Sequence, residues 1–240
     1  MKNNISIILL CTLPDAGIKS LGSKCLIPIN KKNIIQHQID TINSVCSNHE
    51  IIISLCFDSN RVYKNIRNKY KNIKVIKNQE FDNINFGGAF IKALDYVKYD
   101  NILVINYGCV YTANSIKKIL NNPSNNNIVG VIESKHSDNI NIGCYIDQNQ
   151  IINIFFNLGS IKYCDMFYIN NDTKKAMQNK FNQDYTNNKF TFELINSIIE
   201  DGHKFKPVFL SDKDYIFLNN LQTLNRCKRI LINESSKTAR

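Results

Sequence analysis

The sequence predicts an α/β fold: a mostly parallel central sheet carrying an antiparallel addition. Three observations lead there. The first half alternates short, nearly continuous apolar runs with amphipathic stretches, the order of parallel strands joined by helical crossovers. The second half sets several strand-like runs in succession with short polar breaks, as antiparallel neighbours do. The chain's 240 residues, 43% of them hydrophobic, are enough for one large core, and no internal repeat or long linker divides them. One domain is therefore drawn over 1–232, with 233–240 as a polar, frayed tail.

The elements follow in order. Ile5–Cys11 is apolar almost throughout, as suits a parallel strand buried on both faces. A long loop over 13–28 follows; loops of that length in a compact domain are usually functional. From Asn33 the apolar positions Ile34, Ile35, Ile39, Ile42 and Val45 share one helical face. Residues 50–57 read as the second strand, and Asp58-Ser59-Asn60 as the cap of a helix over 61–70. A third strand is Ile73–Lys77, a polar Gly-containing loop covers 83–88, a helix covers 89–97, and the fourth strand is Asn101–Asn106. Strands are then expected over 128–133, 140–146 and 151–156, the last two joined by a hairpin turn at Asp147-Gln148-Asn149-Gln150. A short strand over 166–169, helices over Asn171–Lys180 and 191–201 with Gly202 as a stop, a strand over 205–210 and a final amphipathic helix over 218–232 complete the order.

Composition narrows the function. The formal charge of +10 comes from lysines spread along the chain, which favours anionic partners such as nucleotides and sugar phosphates. Nucleic acid is the weaker expectation, since no Arg-rich run or aromatic-basic motif occurs. The eight cysteines form no Cys-x-x-Cys pair and several sit inside apolar runs, which argues against a zinc ribbon and for buried thiols in a reducing, cytoplasmic setting. The four histidines lack metal-ligand spacing. The apolar run at the N-terminus is too short for a membrane span, so no membrane partner is expected.

Two segments carry a resemblance. The loop reads Leu13-Pro14-Asp15-Ala16-Gly17-Ile18-Lys19-Ser20-Leu21-Gly22-Ser23-Lys24-Cys25-Leu26-Ile27-Pro28-Ile29, and the helix after it opens Asn33-Ile34-Ile35-Gln36-His37-Gln38. Together they resemble the nucleotidyltransferases that join an NTP to a sugar phosphate or choline phosphate. Those proteins follow the first strand with a Gly-rich loop, then a Lys and a Leu-Leu-Pro-like run. Glycines there let backbone N–H groups approach a triphosphate, and a cation offsets its charge. Lys24 and Leu26-Ile27-Pro28-Ile29 match the later half. In the earlier half Gly17 survives, Lys19 stands where a second glycine is usual, and the family's arginine has no counterpart.

The resemblance implies a three-layer, Rossmann-like nucleotidyltransferase fold and a nucleotide site made of Gly17, Lys19, Gly22, Lys24, Asn85 and Gly87. Lys24 would be the catalytic cation in an active enzyme, and Asn85 with Gly87-Gly88 would contact base or substrate. Residue by residue, these have plainer uses: Asn85 as a helix cap, the glycines as turn residues. The family also holds Mg²⁺ with two carboxylates, one after a glycine at the end of the fourth strand and one just before the last helix. Here Gly108 is followed by Cys109, and Tyr215-Ile216-Phe217-Leu218 by Asn219. Asp212 and Asp214 stand just upstream of the second position. No metal site is therefore expected, and Mg²⁺ enters only if the chain is active after all.

The functional expectation is a nucleotidyltransferase-like pseudoenzyme: a binding, regulatory or structural subunit that takes an NTP or sugar phosphate and pairs with itself or an active relative. One alternative is an active transferase that couples an NTP to a sugar or alditol phosphate and releases pyrophosphate. A second is a structural protein of a larger assembly, a viral one included.

Overall fold

The structure is a computed structural model and describes residues 4–11, 23–78, 84–121, 125–133, 142–156 and 159–238; the side chains of 183–184 and 233–238 stand outside that description. The chain order is β1 (Ile5–Cys11), a 3-10 turn (Lys24–Leu26), β2 (Pro28–Ile29), β3 (Lys32–Asn33), α1 (Ile34–Val45), β4 (His49–Leu55), α2 (Ser59–Arg67), β5 (Ile73–Lys77), α3 (Phe86–Leu94), β6 (Asn101–Asn106), β7 (Cys109–Tyr111) and α4 (Ala113–Leu120). Then come β8 (Asn127–Glu133), β9 (Ile142–Asp147), β10 (Gln150–Phe156), β11 (Ile161–Ile169), α5 (Asn171–Lys180), α6 (Gln183–Thr186), α7 (Thr191–Glu200), β12 (Phe205–Phe209), β13 (Tyr215–Phe217) and α8 (Leu221–Thr238).

Strands β5, β4, β1 and β6 lie side by side and parallel. Each connection passes through a helix, as the alternation of apolar runs and amphipathic stretches requires. Strand β1 is buried along its whole length because side chains cover both of its faces. Ile7 and Leu9 face α1, α2 and α4, while Ile8 and Leu10 face α3, α5 and α7. Three layers result. Each isoleucine fully buried in them contributes about 1.5–3 kcal/mol from apolar area alone.

The second half supplies the antiparallel part. Strand β11 pairs antiparallel with β6, β8 and β9, and β10 closes a hairpin on β9. The turn of that hairpin is Gln148-Asn149, both at positive φ, the geometry that fits the twist of paired strands. Strand β12 adds parallel to β8. A third, smaller core lies where α8 covers β2, β7 and β13, with Ile29, Val110, Leu218 and Leu224 inside it.

Several boundaries differ from the sequence reading. Helix α3 begins at Phe86 instead of 89, because Gly87 and Gly88 belong to the helix and not to the loop before it. Helix α2 spans Ser59–Arg67, and Asp58 at its start is left-handed with no side-chain cap; its carboxylate takes Arg61 instead at 3.0 Å. The last helix starts at Leu221 and continues to Thr238, into the segment read as a tail. Strand β11 starts at Ile161 and not 166. Helix α4 and the short strands β7 and β13 are additional to the elements the sequence predicts; their apolar stretches are too short to declare a period. The capping box of α1, in which Asn33 and Gln36 satisfy each other's backbone N–H, and the left-handed Gly202 after α7 agree with the sequence. Among the described residues, no helix is long and apolar enough to cross a membrane.

Candidate functional site

Strand order places the site. From β1 the chain moves outward through β4 to β5, then returns to lay β6 on the other side of β1. The reversal opens a crevice at the carboxyl ends of β1 and β6, where α/β sheets gather ligands. Tyr107 N–H donates to the Leu10 carbonyl at 3.1 Å and joins these two ends. The Asn106 side chain accepts from Gly108 N at 2.9 Å and shapes the turn into β7.

The two positions where the resemblance expects metal carboxylates are brought together. Strand β13 pairs with β7 so that Phe217 lies opposite Cys109, and Leu218 N–H donates to the Gly108 carbonyl at 2.9 Å. Cys109 and Asn219 therefore sit at one place, but neither offers a charged oxygen. Cys109 is fully buried, and its thiol donates to the Tyr215 hydroxyl at 3.4 Å. Burial, aided by the Asp165 charge, pushes its pKa up to about 12 against the pull of its hydrogen bonds and Lys24. Asn219 Oδ1 accepts from the Thr223 hydroxyl at 3.2 Å, so its amide is engaged at the start of α8.

The upstream aspartates do not take over. Asp214 accepts from Ser211, Thr112 and Asn114 at 2.7–2.9 Å and lies 3.7 Å from Lys118. Its burial acts to raise the pKa, but those hydrogen bonds and the lysine outweigh it and hold the carboxyl below its usual range. It ties β13 to α4. Asp212 is exposed and pairs with Arg226.

Lys24 reaches the site from the 3-10 turn and is 2% exposed, its ammonium 5.3 Å from the centre of the Phe217 ring. Desolvation lowers its pKa to about 8, with Cys109, Asp165 and Cys25 acting in the opposite direction. Gly17, Lys19 and Gly22 lie outside the described residues. Asn85 and Gly87 are placed at the start of α3, where Asn85 Oδ1 accepts from Phe86 N at 2.8 Å. Gly87 is glycine because a Cβ there would meet the Lys189 carbonyl oxygen at 2.5 Å. Both have a local structural duty against the 187–189 segment.

Asp165 was not singled out by sequence reasoning, yet it is the carboxylate that acts on both Lys24 and Cys109. Between Tyr163 and Phe167, β11 advances from 163 to 167 while β8 advances only from 131 to 129. The surplus residues make a bulge, a device that turns a side chain out of the regular alternation. At its apex Asp165 is left-handed, φ 50°, a conformation aspartate tolerates better than most residues. Gly130 of β8 makes room: a Cβ there would lie 3.2 Å from the Met166 carbonyl oxygen. Tyr111 pins the bulge by donating its hydroxyl to the Cys164 carbonyl at 2.6 Å. Met166 pairs with Ile105, so the bulge lies beside the carboxyl end of β6. Desolvation raises the Asp165 pKa to about 7, and Lys24 works against that rise. The signal in the sequence was a lone Asp inside the apolar run Tyr163-Cys164-Asp165-Met166-Phe167; it read as a strand boundary.

These residues do not fit Mg²⁺. That ion demands hard oxygens in octahedral order. Among the described residues the site offers a thiol, an engaged amide and one carboxylate whose charge acts on Lys24. Among the described residues, no three His, Cys, Asp or Glu side chains converge as metal ligands.

No family model matches the chain by sequence. No curated protein matches it either. Solved structures do match in shape. The inositol-1-phosphate CTP transferase of T. maritima superposes with a TM-score of 0.77 at 10% identity, covering 94% of each chain. HddC of Yersinia pseudotuberculosis gives 0.73 at 17% identity, over 93% of this chain and 98% of that one. The CTP:phosphocholine cytidylyltransferase of Streptococcus pneumoniae gives 0.71 at 13% identity, over 95% and 99%. The chain has the nucleotidyltransferase fold over nearly its whole length.

Proposed function

We propose that this chain is a nucleotidyltransferase-fold protein that binds a phosphorylated ligand, an NTP or a sugar phosphate, without Mg²⁺-dependent nucleotidyl transfer, and serves as a binding or regulatory subunit. The observation that carries the reading is the pairing of β7 with β13. It sets Cys109 beside the Phe217–Asn219 segment, and a thiol and an amide at the two positions where the resemblance expects carboxylates support a site that works without a metal. Nucleotidyl transfer depends on a metal that bridges phosphate oxygens and neutralises charge developing at phosphorus. A lysine alone can hold a phosphate but not do that work. Lys24 with a pKa near 8 stays cationic at neutral pH and supports anion binding.

The test is a pair of assays. With Mg²⁺, each common NTP and a panel of sugar, alditol and choline phosphates, no pyrophosphate is released above background. Without Mg²⁺, a nucleotide raises the thermal midpoint, as any ligand selective for the folded state does. Lys24→Ala abolishes that rise. Mg²⁺-dependent pyrophosphate release that disappears in Lys24→Ala would establish the active-transferase alternative instead.

A further inference from the structure

Between Arg61 and Lys77 the chain carries seven cations and no acid. They come from two elements and the turn between them. On α2, Arg61, Lys64 and Arg67 recur at every third residue, so they share an exposed face while Val62 and Ile66 bury the opposite one. Strand β5 ends the sheet, pairs only with β4 among the described residues, and leaves Lys74 and Lys77 exposed. Lys69 and Lys71 are exposed in the turn. The Tyr63 ring draws the two elements' charges together: Lys77 stands 4.4 Å from its centre and Arg67 5.7 Å. Those two cations are therefore no further apart than about a Debye length at 0.1 M salt, roughly 10 Å.

Little of this charge is neutralised. Arg61 pairs with Asp58 at 3.0 Å and Lys74 with Glu50 at 2.9 Å. Among the described residues no carboxylate pairs with Lys64, Arg67, Lys69, Lys71 or Lys77. Lysines on an edge strand also keep other strands from adding there. That accounts for Lys74 and Lys77, but not for the row on α2 or for the turn.

We propose that the face formed by α2, β5 and the turn between them is a docking surface for the phosphate backbone of nucleic acid. Charge complementarity and the makeup of the face select that occupant. Among the described residues, no large exposed apolar side chain lies between 59 and 77. The centre of a protein–protein interface is apolar and poor in lysine, and a helix lying on a membrane needs an apolar face to insert. Helix α2 has its apolar face on the core. Nucleic-acid interfaces are the more polar and more strongly positive kind. Sequence alone gave no Arg-rich run, because the cations are gathered by the packing of α2 beside β5. The surface is separate from the site at the ends of β1 and β6, since β4 stands between β1 and β5. The two readings can therefore fail independently.

Fluorescence anisotropy of a labelled single-stranded uridine oligonucleotide, about 16 nucleotides long, follows the binding. In the wild-type protein the logarithm of the binding constant should fall with the logarithm of salt concentration at a slope near about −3.5, as when roughly five cations meet phosphates. Lys64→Glu/Arg67→Glu/Lys71→Glu reverses three exposed charges and should weaken binding at least about tenfold at roughly 50 mM salt, with a slope shallower by about 2. Lys117→Glu/Lys175→Glu/Lys204→Glu makes the same change of net charge at exposed positions elsewhere and should weaken it less than about threefold. Circular dichroism checks that both variants fold; the corresponding Gln variants carry the same comparison if a reversal disturbs folding. Equal weakening in the two triple variants, or no binding at low salt, overturns the proposal. So does a polyglutamate peptide of equal charge that competes as strongly as unlabelled oligonucleotide, which would point to an acidic protein. Co-sedimentation with phosphatidylserine vesicles while the oligonucleotide stays free would give the face to a membrane instead. Each of these results leaves the phosphate-binding reading of the strand-end site standing.

Discussion

Asp165→Asn should stabilise the protein, and only at the alkaline end of its range. Asparagine keeps nearly the same shape and accepts the left-handed conformation at φ 50°, so the bulge survives. What changes is charge. The folded protein raises the Asp165 pKa from 3.8 to about 7, chiefly by desolvation. Holding a carboxylate there costs about 4 kcal/mol once it is ionised. The sign follows from proton counting: between those two values the folded state binds more protons than the unfolded chain, so stability falls as pH rises through that window and is level above it. Asparagine removes the loss. It also removes the charge that supports Lys24, which takes back part of the gain, leaving about 2 kcal/mol at pH 8 and close to none at pH 4. For a chain of this length the thermal midpoint should rise by about 4–8 °C at pH 8. Thermal unfolding followed by circular dichroism at both pH values measures it. An equal shift at pH 4 and pH 8, or a fall at pH 8, would refute the claim that the carboxylate is desolvated in the fold.

Two further perturbations have definite expected outcomes. Gly87→Ala should lower stability by about 2 kcal/mol, although alanine is the better helix former, because its Cβ would collide with the Lys189 carbonyl that Gly87 N–H already engages at 2.8 Å; a melting point that stays level or rises would show that the 187–189 segment yields freely. All eight cysteines are buried, and burial lifts the pKa of Cys46 and Cys56 to about 11 and of Cys109, Cys144 and Cys227 to about 12. A disulfide reagent at pH 8 should thus leave the native protein unlabelled over the minutes in which the denatured chain reacts fully, and a rapid equivalent from the folded state would contradict that burial.

Much of the fold was written locally. Ile5–Cys11, Ile73–Lys77, Asn101–Asn106 and Asn171–Lys180 stand where periodicity put them: the first and third are central strands buried and apolar nearly throughout, Ile73–Lys77 at the sheet edge alternates apolar residues with lysines, and Asn171–Lys180 buries one face. The absence of acids at 109 and 219 was also legible, because it is a matter of residue identity. Their proximity was not. Strand β7 and strand β13 are too short to announce themselves, and their pairing joins positions more than a hundred residues apart. The expected phosphate-side glycines after β1 lie outside the described residues, while Asn85 and Gly87 take up local packing at α3. The sequence by itself determined the longer strands and helices and which charges are missing from the strand-end site. Only the tertiary structure decided which charge stands there instead: a bulge is a mismatch between two strands, Asp165 is turned by that mismatch, and a single strand read alone has no partner against which to be out of step.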